Sequence, residues 1–264
     1  LASFLSPHGG ILERRFYKDT KAMRVFIKLA YDGSRFNGFQ QQTHDTNTVM
    51  NLLIKALKKL NIHTTPAGAG RTDKGVHALG QVVHIDLPSY WKDLSLLKTT
   101  LQQHLLPFVH LQNIWEVPDT MHARFSATSR HYRYILSHDA FDPFRSAYVF
   151  FQPTKMSLLA LNEALACFVG THDFSLFKKQ GSPTPTNVRT LTYAHAYMYR
   201  NCTIFSFRGS GFLRSQVRMM TQACLAYAQG RLSKEALCEQ IANKHQHICS
   251  MVPPNGLYLW RIYY

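Results

Sequence analysis

The segment Gly68-Ala69-Gly70-Arg71-Thr72-Asp73-Lys74-Gly75-Val76-His77-Ala78, running on to Asp86, constrains the fold more than any other part of the chain. Gly68, Gly70 and Gly75 allow positive φ angles and close backbone approach, so the stretch reads as a tight loop. Val82-Val83-His84-Ile85 is a strand-like apolar run that would hold this loop rigidly at its end. The loop carries one acid, Asp73, between Arg71 and Lys74. A carboxylate so placed should stay ionised at neutral pH, as a carboxylate nucleophile must.

The cationic setting extends well beyond this loop. Lys+Arg 30 against Asp+Glu 15 leaves a formal net charge of +15 on 264 residues, which favours a polyanionic partner, nucleic acid or an anionic membrane. Residues 174–234 contain no Asp or Glu, yet hold Lys178, Lys179, Arg189, Arg200, Arg208, Arg214, Arg218, Arg231 and Lys234. A solvated structural face mixes both signs, so an acid-free basic region of this length points to phosphate contact. Arg208, Arg214 and Arg218, interleaved with Phe207, Phe212 and Leu213, are its densest part. Hydrophobic residues at 45% and charged residues at 17% describe a globular chain, long enough for one or two domains.

Cys167, Cys202, Cys224, Cys238 and Cys249 form no CxxC pair and are odd in number, which argues for reduced thiols in a cytoplasmic protein. Histidines are plentiful, but no HExxH or Cys/His cluster has ligand spacing, so no metal is expected. No apolar run is long enough to span a bilayer. Residues 1–22 lack the continuous apolar core of a signal peptide. They open on Leu1, while Met23 begins a convincing strand. They are expected to be an upstream extension, a tag remnant or a mis-set start, with no function.

Strands are expected over 24–31, 82–85, 111–117, 130–137, 148–152 and 257–264, with a hairpin-like pair over 188–199 and 203–207. Val49, Leu52, Leu53, Ala56, Leu57 and Leu60 form one helical stripe, with Thr46 or Asn47 as cap. Further helices are expected over 93–106, ended by Pro107; over 157–169, closed by Gly170; over 212–229, capped by Gly230; and from Ser233 onward. The uneven alternation indicates an α+β protein with mixed, largely antiparallel sheet and helices on one side. Its halves are expected at 23–115 and 116–264, sharing one sheet or packing tightly.

GRTDKGVHALGQVVH, with AYDGSRFNGFQ upstream and HARFSATSRHYRY, GTHDFSLF, GFLRSQVRMM and GLYL downstream, resembles the TruA family of tRNA pseudouridine synthases. The resemblance runs from about Met23 to Tyr264. It implies two related halves meeting around a central basic cleft. The implied activity breaks the C1′–N1 bond of a tRNA uridine, turns the base and rejoins it through C5, without cofactor or metal. The implied targets are uridines 38, 39 and 40 of the anticodon stem-loop, and the implied assembly is a cytoplasmic homodimer holding one tRNA across both subunits.

Asp73 matches the family's catalytic aspartate, whose attack on base or sugar, or removal of a sugar proton, is left open. Arg71 matches the arginine that enters the RNA stack where the target nucleotide leaves, a gap that a planar guanidinium fills by stacking. A surface arginine paired with Asp73 is the bland reading. Tyr132 matches the tyrosine stacked on the target uracil, and its phenol is a candidate for removing the C5 proton. Arg218 matches the arginine paired with the catalytic carboxylate. Arg214, one helical turn earlier, would extend a basic ridge on the same face. Leu257 and Leu259 resemble apolar residues lining the uracil pocket, though either could be plain core. Lys74, Arg208 and Arg214 are candidates for RNA-backbone contact. Lys74 departs from the alanine of many relatives and Phe39 from a common Trp. Residues 101–107 lack the usual asparagines and 179–187 the usual cysteine. A catalytically silent RNA chaperone and a plain RNA-binding module remain as alternatives, and the intact set of Arg71, Asp73, Tyr132 and Arg218 argues against both.

Overall fold

The computed structural model describes residues 22–181 and 184–264. The extension expected at 1–22 lies, apart from Ala22, outside the described residues. Strands are β1 (Met23–Tyr31), β2 (Ala67–Gly68), β3 (His77–Leu87), β4 (Val109–Glu116), β5 (Ser129–Ser137), β6 (Phe150–Phe151), β7 (Gly170–Asp173), β8 (Val188–Tyr199), β9 (Cys202–Gly209) and β10 (Leu257–Tyr263). Helices are α1 (Val49–Lys59), α2 (Leu94–Gln103), α3 (Leu158–Ala166), α4 (Gln216–Ala228) and α5 (Lys234–Ile241). The ten strands form one sheet in the order β4-β1-β3-β10-β5-β9-β8-β7, with β2 beside β3 and β6 beside β5. The β3–β10 and β5–β6 pairs are parallel and the others antiparallel. The fold is therefore α+β on a mixed sheet.

Residues facing each other in a ladder point to the same side, so one face can be followed across the sheet. Val25 and Ile27 of β1 stand opposite Ile85 and Val83 of β3. Ala78 of β3 stands opposite Leu259 of β10, Leu259 opposite Tyr132 of β5, and Tyr132 opposite Phe207 of β9. All are buried, and this is the face that the helices cover. The opposite face carries Lys28, His131, Arg133, Tyr193, His195 and Arg208, which are exposed or half-buried. The strands before residue 116 join those after it in the sheet through the parallel β3–β10 pair, Tyr258 opposite His77 and Leu259 opposite Ala78.

Several boundaries shift for local reasons. The cap of α1 is Thr48, which is extended and accepts from the Asn51 amide. Asn47 is engaged elsewhere, donating to the Arg35 carbonyl. Helix α2 stops at Gln103, because Pro107 excludes helical geometry at Leu106 and the chain turns over the intervening residues. Helix α3 ends at Ala166 rather than reaching Gly170, whose φ of 116° instead starts β7. Helix α4 starts at Gln216, four residues later than the apolar pattern suggests, because Ser215 has φ 61° and cannot belong to a right-handed helix.

Candidate active site

The loop between β2 and β3 is fixed at almost every residue. Ala69 N–H donates to the Val82 carbonyl at 2.8 Å, and Gln81, fully buried, donates from Nε2 to the Gly70 carbonyl at 2.8 Å. The Thr72 hydroxyl shares a 2.8 Å hydrogen bond with Tyr31, and its carbonyl accepts from Phe39 N–H at 3.1 Å. Gly68 is needed for approach rather than for φ: a Cβ there would lie 2.4 Å from the buried Phe39 ring. Gly75 is the position with positive φ, 78°, where the loop turns into β3. A backbone tied at both ends holds Asp73 without help from its own side chain.

Asp73 is half-buried, and its cations come from the far half of the chain. Arg218 Nη1 lies 3.8 Å from Oδ2 and Arg214 Nε 4.0 Å from Oδ1. Arg218 is only 14% exposed and donates from Nε to the Val252 carbonyl at 2.8 Å. Burial lowers its pKa, and the charge of Asp73 opposes that shift. Arg71 and Lys74, the sequence neighbours, are exposed instead. Arg214 reaches the carboxylate from the loop before α4, not from one turn along that helix. The Ser215 hydroxyl donates to Oδ2 at 2.8 Å, a contact across 142 residues that sequence patterns gave no means of finding.

Tyr132 is buried and meets Phe212 edge-on, with ring centroids 5.1 Å apart. Its hydroxyl lies 3.9 Å from where a Cβ on Gly70 would be, which brings the phenol to the loop that carries Asp73. Burial pushes the phenol upward, and the charges of Tyr31 and Asp73 push the same way, so it is protonated at neutral pH. Leu259 stands directly opposite Tyr132, while Leu257 stands opposite Tyr134, one pair further along; both leucines are buried.

Arg208 does not join this group. It lies on the other sheet face, donating to Ser129 at 3.0 Å and stacking 4.1 Å from the Tyr263 ring. Other arginines, on which the motifs placed no emphasis, gather instead. Arg130 donates to the carbonyls of Ala69, Arg124, Ala127 and Ser210, stitching the Asp73 loop to the segments around it. Burial lowers its pKa, and repulsion from Arg124 and Arg189 adds to that. Arg189 is lowered by burial and then by Arg124. Three arginines that repel one another next to the loop form a ready site for anions. The alternation of cations through HARFSATSRHYRY was the signal that could have marked Arg124 and Arg130.

Among the described residues, no group of His, Cys, Asp and Glu could hold a metal ion, and no helix is long and apolar enough to cross a membrane. A family model described as tRNA pseudouridine synthase matches residues 28–126 and 164–264. The chain is 40% identical over 242 residues to tRNA pseudouridine synthase A of Campylobacter jejuni, covering 92% of this chain and 100% of that protein. It is 40% identical over 241 residues to the Helicobacter hepaticus protein of that name, covering 89% and 97%. The corresponding figures for Helicobacter pylori are 39% over 247 residues, 92% and 100%. With relatives matched along nearly their whole length and a family model spanning both stretches of the sheet, the chain belongs to the TruA family of tRNA pseudouridine synthases.

Proposed function

We propose that this chain isomerises uridines 38, 39 and 40 of the tRNA anticodon stem-loop to pseudouridine, with Asp73 as the reacting carboxylate. The observation that carries the reading is the Asp73 carboxylate itself, held on a backbone-tied loop between Ser215, Arg214 and Arg218 and beside Tyr132. The C1′–N1 bond breaks, C5 bonds to C1′, N1 takes up a proton and C5 gives one up. Tyr132 stacks on the uracil, while Leu257 and Leu259 wall the pocket. Exposed Arg71 fills the stack that the target nucleotide vacates. Lys74, Arg214 and the Arg124–Arg130–Arg189 group meet phosphates along a basic cleft with Asp73 at its floor.

The chain divides at about residue 116 into an N-terminal half, 23–115, with the Asp loop and a C-terminal half, 116–264, with the Tyr strand and Arg helix. The family model matches in two segments of similar length, which supports two halves, although the first segment runs on to residue 126, past that boundary. In both halves the first long strand is central and antiparallel to its neighbours, β1 between β3 and β4, β5 between β9 and β10. The family resemblance implies a homodimer holding one tRNA across both subunits and a cytoplasmic site of action, and five free cysteines agree with the latter.

Asp73→Asn tests the reading. The amide keeps shape and hydrogen bonding but is a poor nucleophile and base. Tritium release from C5-labelled uridine in tRNA should vanish, while filter binding of the same tRNA is unchanged or slightly tighter, since a negative charge leaves a basic site. Full release by the variant would remove Asp73 as the reacting group, and none by the wild type on any tRNA would move the chain to the silent RNA-chaperone reading.

A further inference from the structure

We propose that Ser215 is a positioning residue for the Asp73 carboxylate, holding Oδ2 so that Oδ1 is the oxygen presented to the target nucleotide. The inference rests on Asp73 being the reacting group. Ser215 is the N-cap of α4, and the other four α-helices show what such a residue ordinarily does. Thr48, Asp93, Ser157 and Ser233 all have negative φ, and their side chains accept from amides of their own helices. Ser215 has φ 61° and ψ 7°, makes no such bond, and donates its hydroxyl to Asp73 instead.

Both departures carry a cost. A non-glycine residue in the left-handed region is strained, and an N-cap hydroxyl directed elsewhere leaves helix amides to other partners. The first helix amide finds its partner in the turn, Gln216 N–H donating to the Leu213 carbonyl at 3.1 Å, while the Gln216 side-chain carbonyl accepts from Leu213 N–H at 2.8 Å. Strain of this kind persists where the surrounding structure demands one particular side-chain direction. Here that direction is Oδ2. The same oxygen faces Arg218, and Ser215 is buried, so its hydroxyl has the carboxylate as its partner. Oδ1 instead faces the exposed Arg214, whose Nε lies 4.0 Å away.

Ser215→Gly separates positioning from architecture, because glycine adopts φ 61° without strain and is a tolerable N-cap. The variant should be more heat-stable than Ser215→Ala, which also lacks the hydroxyl, by about 2–4 °C in Tm. Yet kcat for tritium release should fall by about 10- to 100-fold, the range of one lost hydrogen bond to a charged group, with tRNA Kd unchanged. Ser215→Ala, which keeps the strain, should lose the same turnover without the gain in Tm. A merely structural serine predicts that stability and turnover move together. Wild-type kcat in folded Ser215→Gly and Ser215→Ala overturns the proposal alone. An inactive wild type overturns the pseudouridylation reading and this inference with it.

Discussion

Tyr132, proposed to meet the target nucleotide, has two different things to offer it, a ring and a hydroxyl. The ring is fixed by Phe212 and by burial under the helices, so it is a stacking surface before RNA arrives. The hydroxyl is protonated in the free protein, because burial and the charge of Asp73 both disfavour the phenolate. If it takes the C5 proton, its own proton must move first. Tyr132→Phe is therefore expected to bind tRNA as the wild type does but to stall after glycosidic cleavage, and Tyr132→Leu to weaken binding as well. Product formation by the Phe variant at near wild-type rate would leave stacking as the only role. At this scale the sequence is legible where a contiguous motif marks a residue, as with Asp73 and Tyr132, which two separate motifs single out and the fold brings together. It misleads where charge is concerned: Arg71 and Lys74 flank Asp73 in sequence but are exposed, while its ion-pair partners lie more than a hundred residues away. Ser215 was hidden altogether, since nothing in a residue's type announces a left-handed φ.

Strand β5 sends Tyr132 and Tyr134 to one side of the sheet and His131 and Arg133 to the other. On that second side His131 is bonded to Ser206 at 2.7 Å and surrounded by Arg133, Arg208 and Arg261. Burial first, and then the three guanidinium groups, push its pKa down to about 4. His77 is lowered by burial too, and its Nδ1 must stay unprotonated to accept from Gly33 N–H at 3.0 Å. Both groups bind a proton less readily folded than unfolded, so the unfolded chain is favoured as pH falls below about 6.5. Tm should therefore drop on acidification from pH 6.5 toward 4, and His131→Gln should make the drop shallower. A flat Tm over that interval, or identical slopes for the two proteins, would count against it. Elements were readable where one periodicity dominates, as in β1, β8 and α1. The ends were not, because the start of α4 and the stops of α2 and α3 depend on single backbone angles and on Pro107.

The whole molecule carries +15, and its cations are not equivalent. If Arg124, Arg189 and Arg214 meet phosphate beside the catalytic loop, each Gln substitution should reduce the salt slope of tRNA binding by about one. Arg208→Gln, on the opposite sheet face, should leave the slope unchanged. Filter binding between 50 and 200 mM salt checks this, with a loss of about a thousandfold or more expected for six to ten contacts. An Arg208 effect equal to that of Arg189 would put the RNA on the wrong face here. The α+β class was legible in the alternation of patterns, whereas strand order was not, because the pattern of a strand says nothing about its neighbour. That order has a consequence for how the enzyme comes into being on the ribosome. The strand that joins Asp73's side of the sheet to Tyr132's side is β10, which is made after every other described element. Until it arrives, the nascent chain holds the loop of Asp73 and the helix of Arg218 on pieces of sheet that share no edge. Asp73 is thus among the first parts synthesised and the last to be brought against Ser215 and Arg218, so if it is the reacting group, a partly translated chain does not act on the tRNAs crowding the ribosome around it.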